Sequence, residues 1–298
     1  MSITPLELGE LVGLLAALAW GATGLLVRAY GMGLNAMFIN AARCGISGFV
    51  FVVLWPFLAN RQPVPATAWL FLGASMLLGL GLGDSLYFEA LKRIGVSRAM
   101  PISMAYPVLA AIGAVVLLHE SLGPVAAVGI ALTLGGVYLV AARPRAESEL
   151  KLPTATGYWS GVALAVAAAV SWSCSTLALG PALALVDVPT VSAIRTPLAS
   201  AVLFGAAARA GVLPPVALLS RRRTTGLLLA TGGASVISTG AFVVSVALAG
   251  AGRAAVLTAT SPLFAVPLSV ALLGEPGDWR IVAGTVASVI GVILLAQS

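Results

Sequence analysis

Two stretches of this chain, 155 residues apart, share an unusual combination: a charged residue at each end, no charge between, and a central proline. The first, RAMPISMAYPVLAAIGAVVLLHE, runs from Arg98 to Glu120; the second, RAAVLTATSPLFAVPLSVALLGE, runs from Arg253 to Glu275. Arg98 aligns with Arg253, Ala99 with Ala254, Pro107 with Pro262 and Glu120 with Glu275. About twenty uncharged residues match the hydrocarbon thickness of a bilayer. A proline in mid-span removes a backbone hydrogen bond and opens a kink, tolerable in lipid only where protein or a wet cavity satisfies the freed carbonyl. The pair reads as two kinked helices lining a path through a membrane.

Composition agrees. The 298 residues have a mean hydropathy of +1.06, with 60% apolar and 9% charged residues. Soluble domains carry about a quarter charged residues, so this chain cannot cover a water-facing surface. It is an integral, multi-pass membrane protein whose surroundings are the lipid bilayer. The net charge of +6 sits between apolar runs without a basic, aromatic-interleaved stripe, so no nucleic-acid partner is implied. Cys44 and Cys174 both fall inside apolar runs, without disulfide or metal spacing. The N-terminal MSITPLELGE lacks the basic region of a signal peptide, so the first apolar run is expected to stay as a spanning helix.

Ten apolar runs can be marked, at 8–27, 35–58, 68–91, 98–118, 122–142, 157–179, 188–208, 225–249, 253–273 and 279–297. The sizeable polar linker RPRAESELKLPTAT, residues 143–156, separates a first five-helix half (1–142) from a second (157–298). The halves are copies. At a shift of 152, Trp20 matches Trp172 and Arg43 matches Arg195; at 155, Gly95, Gly129 and Gly136 match Gly250, Gly284 and Gly291. An odd number of spans per copy inverts the second copy. The expected fold is thus all-α: ten transmembrane helices, two inverted five-helix repeats, and a central cavity between them. All but Arg61, Arg195 and Arg253 of the 16 Lys and Arg residues fall on one side, which places the odd-numbered loops in the cytoplasm and both termini outside.

Polar and aromatic groups in mid-span are the candidates for a substrate path. Ser103, Tyr106, Pro107 and Ala110 share a helical face, and Thr258, Ser261, Pro262 and Ala265 are their equivalents. Trp20 with Thr23 and Gly24, and Trp172 with Ser175 and Thr176, form a similar pair; Tyr87 and Phe242 form another. Together they suggest an aromatic and hydroxyl-lined cavity for a small amphipathic solute. Packing is the alternative, and Trp55, Trp69 and Trp159, near span ends, are read as interface anchors. Gly79 and Gly83, with Pro107 and Pro262, are candidate hinges; close helix packing is the other reading of the glycines.

Asp84 is the acid well inside a run, and an intramembrane carboxylate is a candidate for ion coupling unless neighbouring backbone or hydroxyls satisfy it. Its counterpart is Thr239. Glu120 and Glu275 precede the last span of each half and are expected to cap it; His119 is a boundary histidine. Arg43 and Arg195 are placed at the starts of corresponding spans, snorkelling or pairing with acids, with binding of a substrate carboxylate as the alternative. No His, Cys, Asp and Glu cluster has metal-ligand spacing, no Gly-rich loop precedes a Lys, and no nucleophile has a base nearby. Neither an enzyme nor a metal or other cofactor is expected.

Ten spans in two inverted halves, Trp20–Gly21, and the spacing of Pro107, Glu120 and Gly129 with its copy at Pro262, Glu275 and Gly284 resemble the EamA-type drug/metabolite transporter superfamily. The chain is most similar there to the YddG-type exporters of aromatic amino acids. The resemblance implies a basket of helices with spans one, three, four, six, eight and nine around the cavity, pointing to Trp20, Tyr87, Tyr106, Trp172, Phe242 and Ser261. It also implies a monomer of the bacterial inner membrane that exports aromatic or other apolar amino acids and similar metabolites by alternating access, as facilitated diffusion. The alternative is a proton-coupled antiporter of amphipathic drugs or metabolites using Asp84. Relatives of the small multidrug-resistance type couple through a glutamate in the first span, where this chain has only Glu10, near the boundary.

Overall fold

The computed structural model describes residues 4–60, 62–118, 123–142, 155–275 and 277–296. Every regular element among them is helical. In chain order they are α1 (Pro5–Tyr30), α2 (Ala36–Leu58), α3 (Ala66–Ser75), a π-helix (Met76–Gly83), α4 (Asp84–Ile94), α5 (Val96–Ser103), α6 (Tyr106–Leu118) and α7 (Pro124–Ala141). The second half holds α8 (Ala155–Leu185), α9 (Val188–Arg209), the short α10 (Val216–Leu219), α11 (Arg222–Ala249), α12 (Ala251–Thr258), α13 (Ser261–Leu273) and α14 (Trp279–Ala296). Eight helical stretches are long and apolar enough to cross a membrane, and two more, Val96–Ile112 and Trp279–Leu294, are apolar but shorter. His119, Glu120, Arg61 and nearly all of the 143–156 linker lie outside the described residues.

Local chemistry sets many of the boundaries. Thr4 and Glu7 form a capping box at the start of α1, with Pro5 in its first turn. Asn35 caps α2 through its side-chain bond to the Met37 amide, 2.9 Å. The central prolines produce more than a kink. The chain leaves the helix at Met104 and Ala105 and restarts at Tyr106 just before Pro107; it leaves again at Ala259 and Thr260 and restarts at Ser261 just before Pro262. A proline at the first helical positions sacrifices no ladder bond, so a break is cheaper than a bent continuous helix. The glycine-rich third run folds as a π-helix over Met76–Gly83, a widened turn typical of functional helices.

The outside is oily, and polar side chains are buried inside among apolar ones. Phe57, Leu70 and Leu272 are more than 70% exposed, whereas Arg43, Asn40, Ser47 and Ser75 are fully buried. That distribution suits a bundle solvated by lipid. The most extensive packing joins α1 to α11, α2 to α9, and α7 to α14; α8 lies against α3, the π-helix, α4, α5 and α6.

Two expectations about charges need correction. Arg43 and Arg195 do not begin their spans; each lies two turns into its helix, 0% and 4% exposed, among neighbouring helices. Neither snorkels, because its polar partners are inside the bundle. Glu275 does not cap the last helix; Asp278 does so through the Arg280 amide, 3.2 Å. The Glu275 carboxylate instead accepts from the Val96 and Ser97 amides (2.9 and 2.8 Å) at the start of α5, and pairs with Arg28 Nε at 3.2 Å. Gly95, at φ +82, makes this possible. A Cβ there would sit 2.7 Å from Glu275 Oε1, so the acid takes the capping place that a side chain at Gly95 would block.

Candidate functional site

The cavity at the middle of the bundle has a volume of about 100 Å³, where one water needs about 10–15 Å³. Its wall combines Trp20 from α1, Gly79 and Leu80 from the π-helix, Asp84 from α4, and Met104 and Tyr106 from the α5–α6 break. The second half adds Trp172, Ser175 and Thr176 from α8, Arg195 from α9, Ser238, Thr239 and Phe242 from α11, and Thr258 from α12.

An aromatic cluster forms one side. The Trp20 and Trp172 rings meet edge to face with centroids 5.6 Å apart, and Tyr106 approaches Trp172 at 6.1 Å. Tyr87 packs behind both tryptophans, 5.4 Å from each, and is fully buried. It supports the wall without being part of it. Ser103 and Ser261 do not reach the cavity either: Ser103 donates to the Ala165 carbonyl at 3.1 Å, and Ser261 bonds back to the Thr258 carbonyl. Tyr106 donates to the Ala255 carbonyl at 3.3 Å, tying the two broken helices together.

A charged network forms another side. Asp84 accepts from Arg43 Nη2 through one carboxylate oxygen and from Trp172 Nε1, at 2.8 Å, through the other. Arg43 also donates to Asn40 Oδ1 (2.8 Å) and Ser235 Oγ (2.9 Å), and its guanidinium lies 5.3 Å from the Trp20 ring centroid. Asn40 in turn donates to the Leu80 carbonyl at 2.6 Å. Breaking such a buried ion pair from one side costs about 3–5 kcal/mol, so these members hold one another in place. Satisfaction of Asp84 comes from a guanidinium and an indole, not from the backbone or hydroxyls considered on sequence grounds.

The π-helix and the last residue of α3 before it present carbonyls to side chains of neighbouring helices. Ser171 donates to the Leu78 carbonyl (2.6 Å), while Ser175 (2.8 Å) and Arg195 Nη2 (3.2 Å) donate to that of Ser75. Gly83 permits the approach of α8, since a Cβ there would lie 2.5 Å from Trp172 Cδ1. Gly79, against Ser175, and Gly83 thus allow close packing against α8.

Of the residues singled out in sequence, Trp20, Tyr106, Trp172, Phe242, Thr258, Asp84 and Gly79 meet on the cavity wall. Tyr87, Ser103, Ser261, Pro107, Pro262 and Gly83 are not on it. Leu80, Met104 and Ser238 carry no sequence signal, and Arg195, expected at a span boundary, joins the wall. The available signal was depth: Arg195 stands inside an apolar run, in VSAIRTPLAS, with no acid beside it.

The chain is similar over nearly its whole length to proteins already known. An uncharacterised transporter of Archaeoglobus fulgidus is 26% identical over 288 residues, covering 96% of each chain. A protein of known crystal structure superposes with a TM-score of 0.68 at 20% identity, covering 96% of this chain and 95% of that one, a likeness of fold. The EamA-like transporter family matches residues 7–142 and again 159–297. With both stretches matched and a membrane-suited helical bundle around them, the chain belongs to the EamA-like transporter family.

Proposed function

We propose that this protein is a secondary transporter that lets small amphipathic metabolites, apolar and aromatic amino acids foremost, leave the cytoplasm by alternating access. The observation that carries this reading is the central cavity, walled by aromatic rings, hydroxyls and two charged groups at the meeting point of broken helices. Ring faces suit an apolar body, and hydroxyls and charges suit polar ends. The cavity is small for a drug-sized ligand, which favours metabolites and agrees with the YddG-type resemblance.

The architecture behind the proposal is ten spans in two inverted repeats, 1–142 and 157–298. Its support is the doubled sequence, the double family match, and the packing pattern: exchanging corresponding helices between halves turns α1 on α11 into α8 on the third run, and leaves α2 with α9 and α7 with α14. Rocking of one half against the other would open the cavity to either side, with the breaks at 104–105 and 259–260 absorbing the bend. Asp84 is engaged by Arg43 and Trp172, which favours downhill transport over proton coupling.

Purified protein in liposomes should therefore move labelled phenylalanine or leucine down its gradient, with saturation and without an imposed proton gradient. Flux that appears only with a proton gradient favours the antiporter reading, which draws its support from the position of Asp84 on the cavity wall. Linear, unsaturable flux would make the protein a channel instead.

A further inference from the structure

Position 84 corresponds to 239 in the doubled sequence, as Arg43 does to Arg195 and Trp172 to Trp20. One set forms a complete unit: Asp84 accepts from Arg43 and from the Trp172 indole. In the other set the place of the acid is taken by Thr239, Arg195 Nη2 turns to a backbone carbonyl, and Arg195 Nε and the Trp20 indole N–H, both buried, are left without an acceptor among the described residues. Arg195 is 4% exposed, and among the described residues it makes a single hydrogen bond, from Nη2 to the Ser75 carbonyl. Arg195, Trp20 and Thr239 all line the same cavity.

A buried guanidinium inside a membrane bundle is costly without an anion, and a buried indole N–H without an acceptor adds to that cost. A carboxylate satisfies both, because it is acceptor-only, carries the opposite charge, and its two oxygens can serve the arginine fork and the indole together. The cavity offers an amine less. Asp84, the carboxylate on its wall, already has both oxygens engaged. Around Arg195 the rings of Trp172, Tyr106 and Phe242 leave room for an apolar body.

We infer that the cavity selects solutes by their carboxylate, which docks on Arg195 and the Trp20 indole N–H in the place corresponding to Asp84, and that an amino group is dispensable. The substrate class is then small monocarboxylates with an apolar or aromatic body, amino acids being members of it. This deepens the transport reading and rests on it for the solute's route into the cavity.

The test is binding to the purified full-length chain in detergent, read by calorimetry with three ligands of one shape: L-phenylalanine, 3-phenylpropionate and phenethylamine. The carboxylate lacking an amine should bind within a few-fold of phenylalanine, and phenethylamine about tenfold more weakly or worse. Arg195→Gln should weaken 3-phenylpropionate by about tenfold or more, and Trp20→Phe, which keeps a ring and removes the N–H, by a few-fold. Thr239→Asp should weaken it as strongly as Arg195→Gln, by supplying the acid from within. Phenethylamine binding as tightly as 3-phenylpropionate, no binding of 3-phenylpropionate, or an unchanged affinity in Thr239→Asp overturns the inference. Should Arg195→Gln fail to fold, the wild-type ligand series and Thr239→Asp decide alone. Carboxylate-selective binding without flux in liposomes would sink the transport reading and leave this one standing; saturable flux selective for amines would do the reverse.

Discussion

Arg43 and Arg195 occupy equivalent positions in two copies of one helix, pack into the same bundle, and live in opposite circumstances. Arg43 gives its donors to Asp84, Asn40 and Ser235 and lies 5.3 Å from the Trp20 ring centroid. Arg195 gives one donor to a backbone carbonyl, leaves Nε unmatched, and borders the cavity. The positions corresponding to the three partners of Arg43 differ, Asp84 against Thr239, Asn40 against Ser192 and Ser235 against Leu80, and on the binding proposal above these differences separate a structural cation from one available to a ligand. The same pair of positions thus illustrates two uses of a buried charge. Matched internally, it locks helices together; left unmatched, it would, on the proposal above, favour an anion from outside.

The sharpest way to break this comparison is to replace each arginine by methionine and measure unfolding free energy in micelles. Arg43→Met should cost about 3–5 kcal/mol, because Asp84 is left buried beside one indole donor. Arg195→Met should stay within about 1 kcal/mol of the wild type or exceed it, since Asp84 keeps its hydrogen-bonded partners Arg43 and Trp172. Equal losses would mean that Arg195 is as structural as Arg43. Next in size, the double variant Arg43→Met with Asp84→Leu should recover most of the loss of Arg43→Met, because removing both charges leaves neither exposed to an apolar interior. A double variant no better than the single would point to packing rather than charge. A smaller effect tests the neighbouring positions, Gly83 and its counterpart Ser238. Gly83→Ala should cost about 1–3 kcal/mol by pressing on Trp172, whereas Ser238→Ala, at a wall position whose hydroxyl has no partner, should be nearly neutral. A harmless Gly83→Ala would show that α8 can retreat.

Much of the cavity wall was legible because membrane spans leave few polar or aromatic residues to choose among. Trp20, Trp172, Tyr106, Phe242, Thr258 and Asp84 stood out from apolar surroundings, and the doubling singled out several of them twice. The placements that failed share a cause. Treating Ser103 and Tyr106 as one face assumes a continuous helix, and the chain breaks between them at 104–105. The same break separates Thr258 from Ser261. Tyr87 follows the π-helix over Met76–Gly83, which shifts the helical phase of the residues after it away from 3.6 per turn. Glu275 was assigned to the nearest helix in sequence, while its partners lie near residue 96, brought within reach across the bundle.

Sequence alone determined that the chain is a membrane protein, where its apolar runs lie, and that it contains a doubled pattern. Those properties depend on hydropathy, local capping and self-similarity, each a matter of neighbours along the chain. Which arginine is spoken for was decided only in three dimensions. Arg43 and Asp84 are 41 residues apart, and Trp20 and Arg195 farther still, so their pairing or its absence depends on helix rotation and on two breaks and a π-helix. Hydrogen bonds act over about 3 Å, and no pattern of residue types fixes distances that small between segments so far apart.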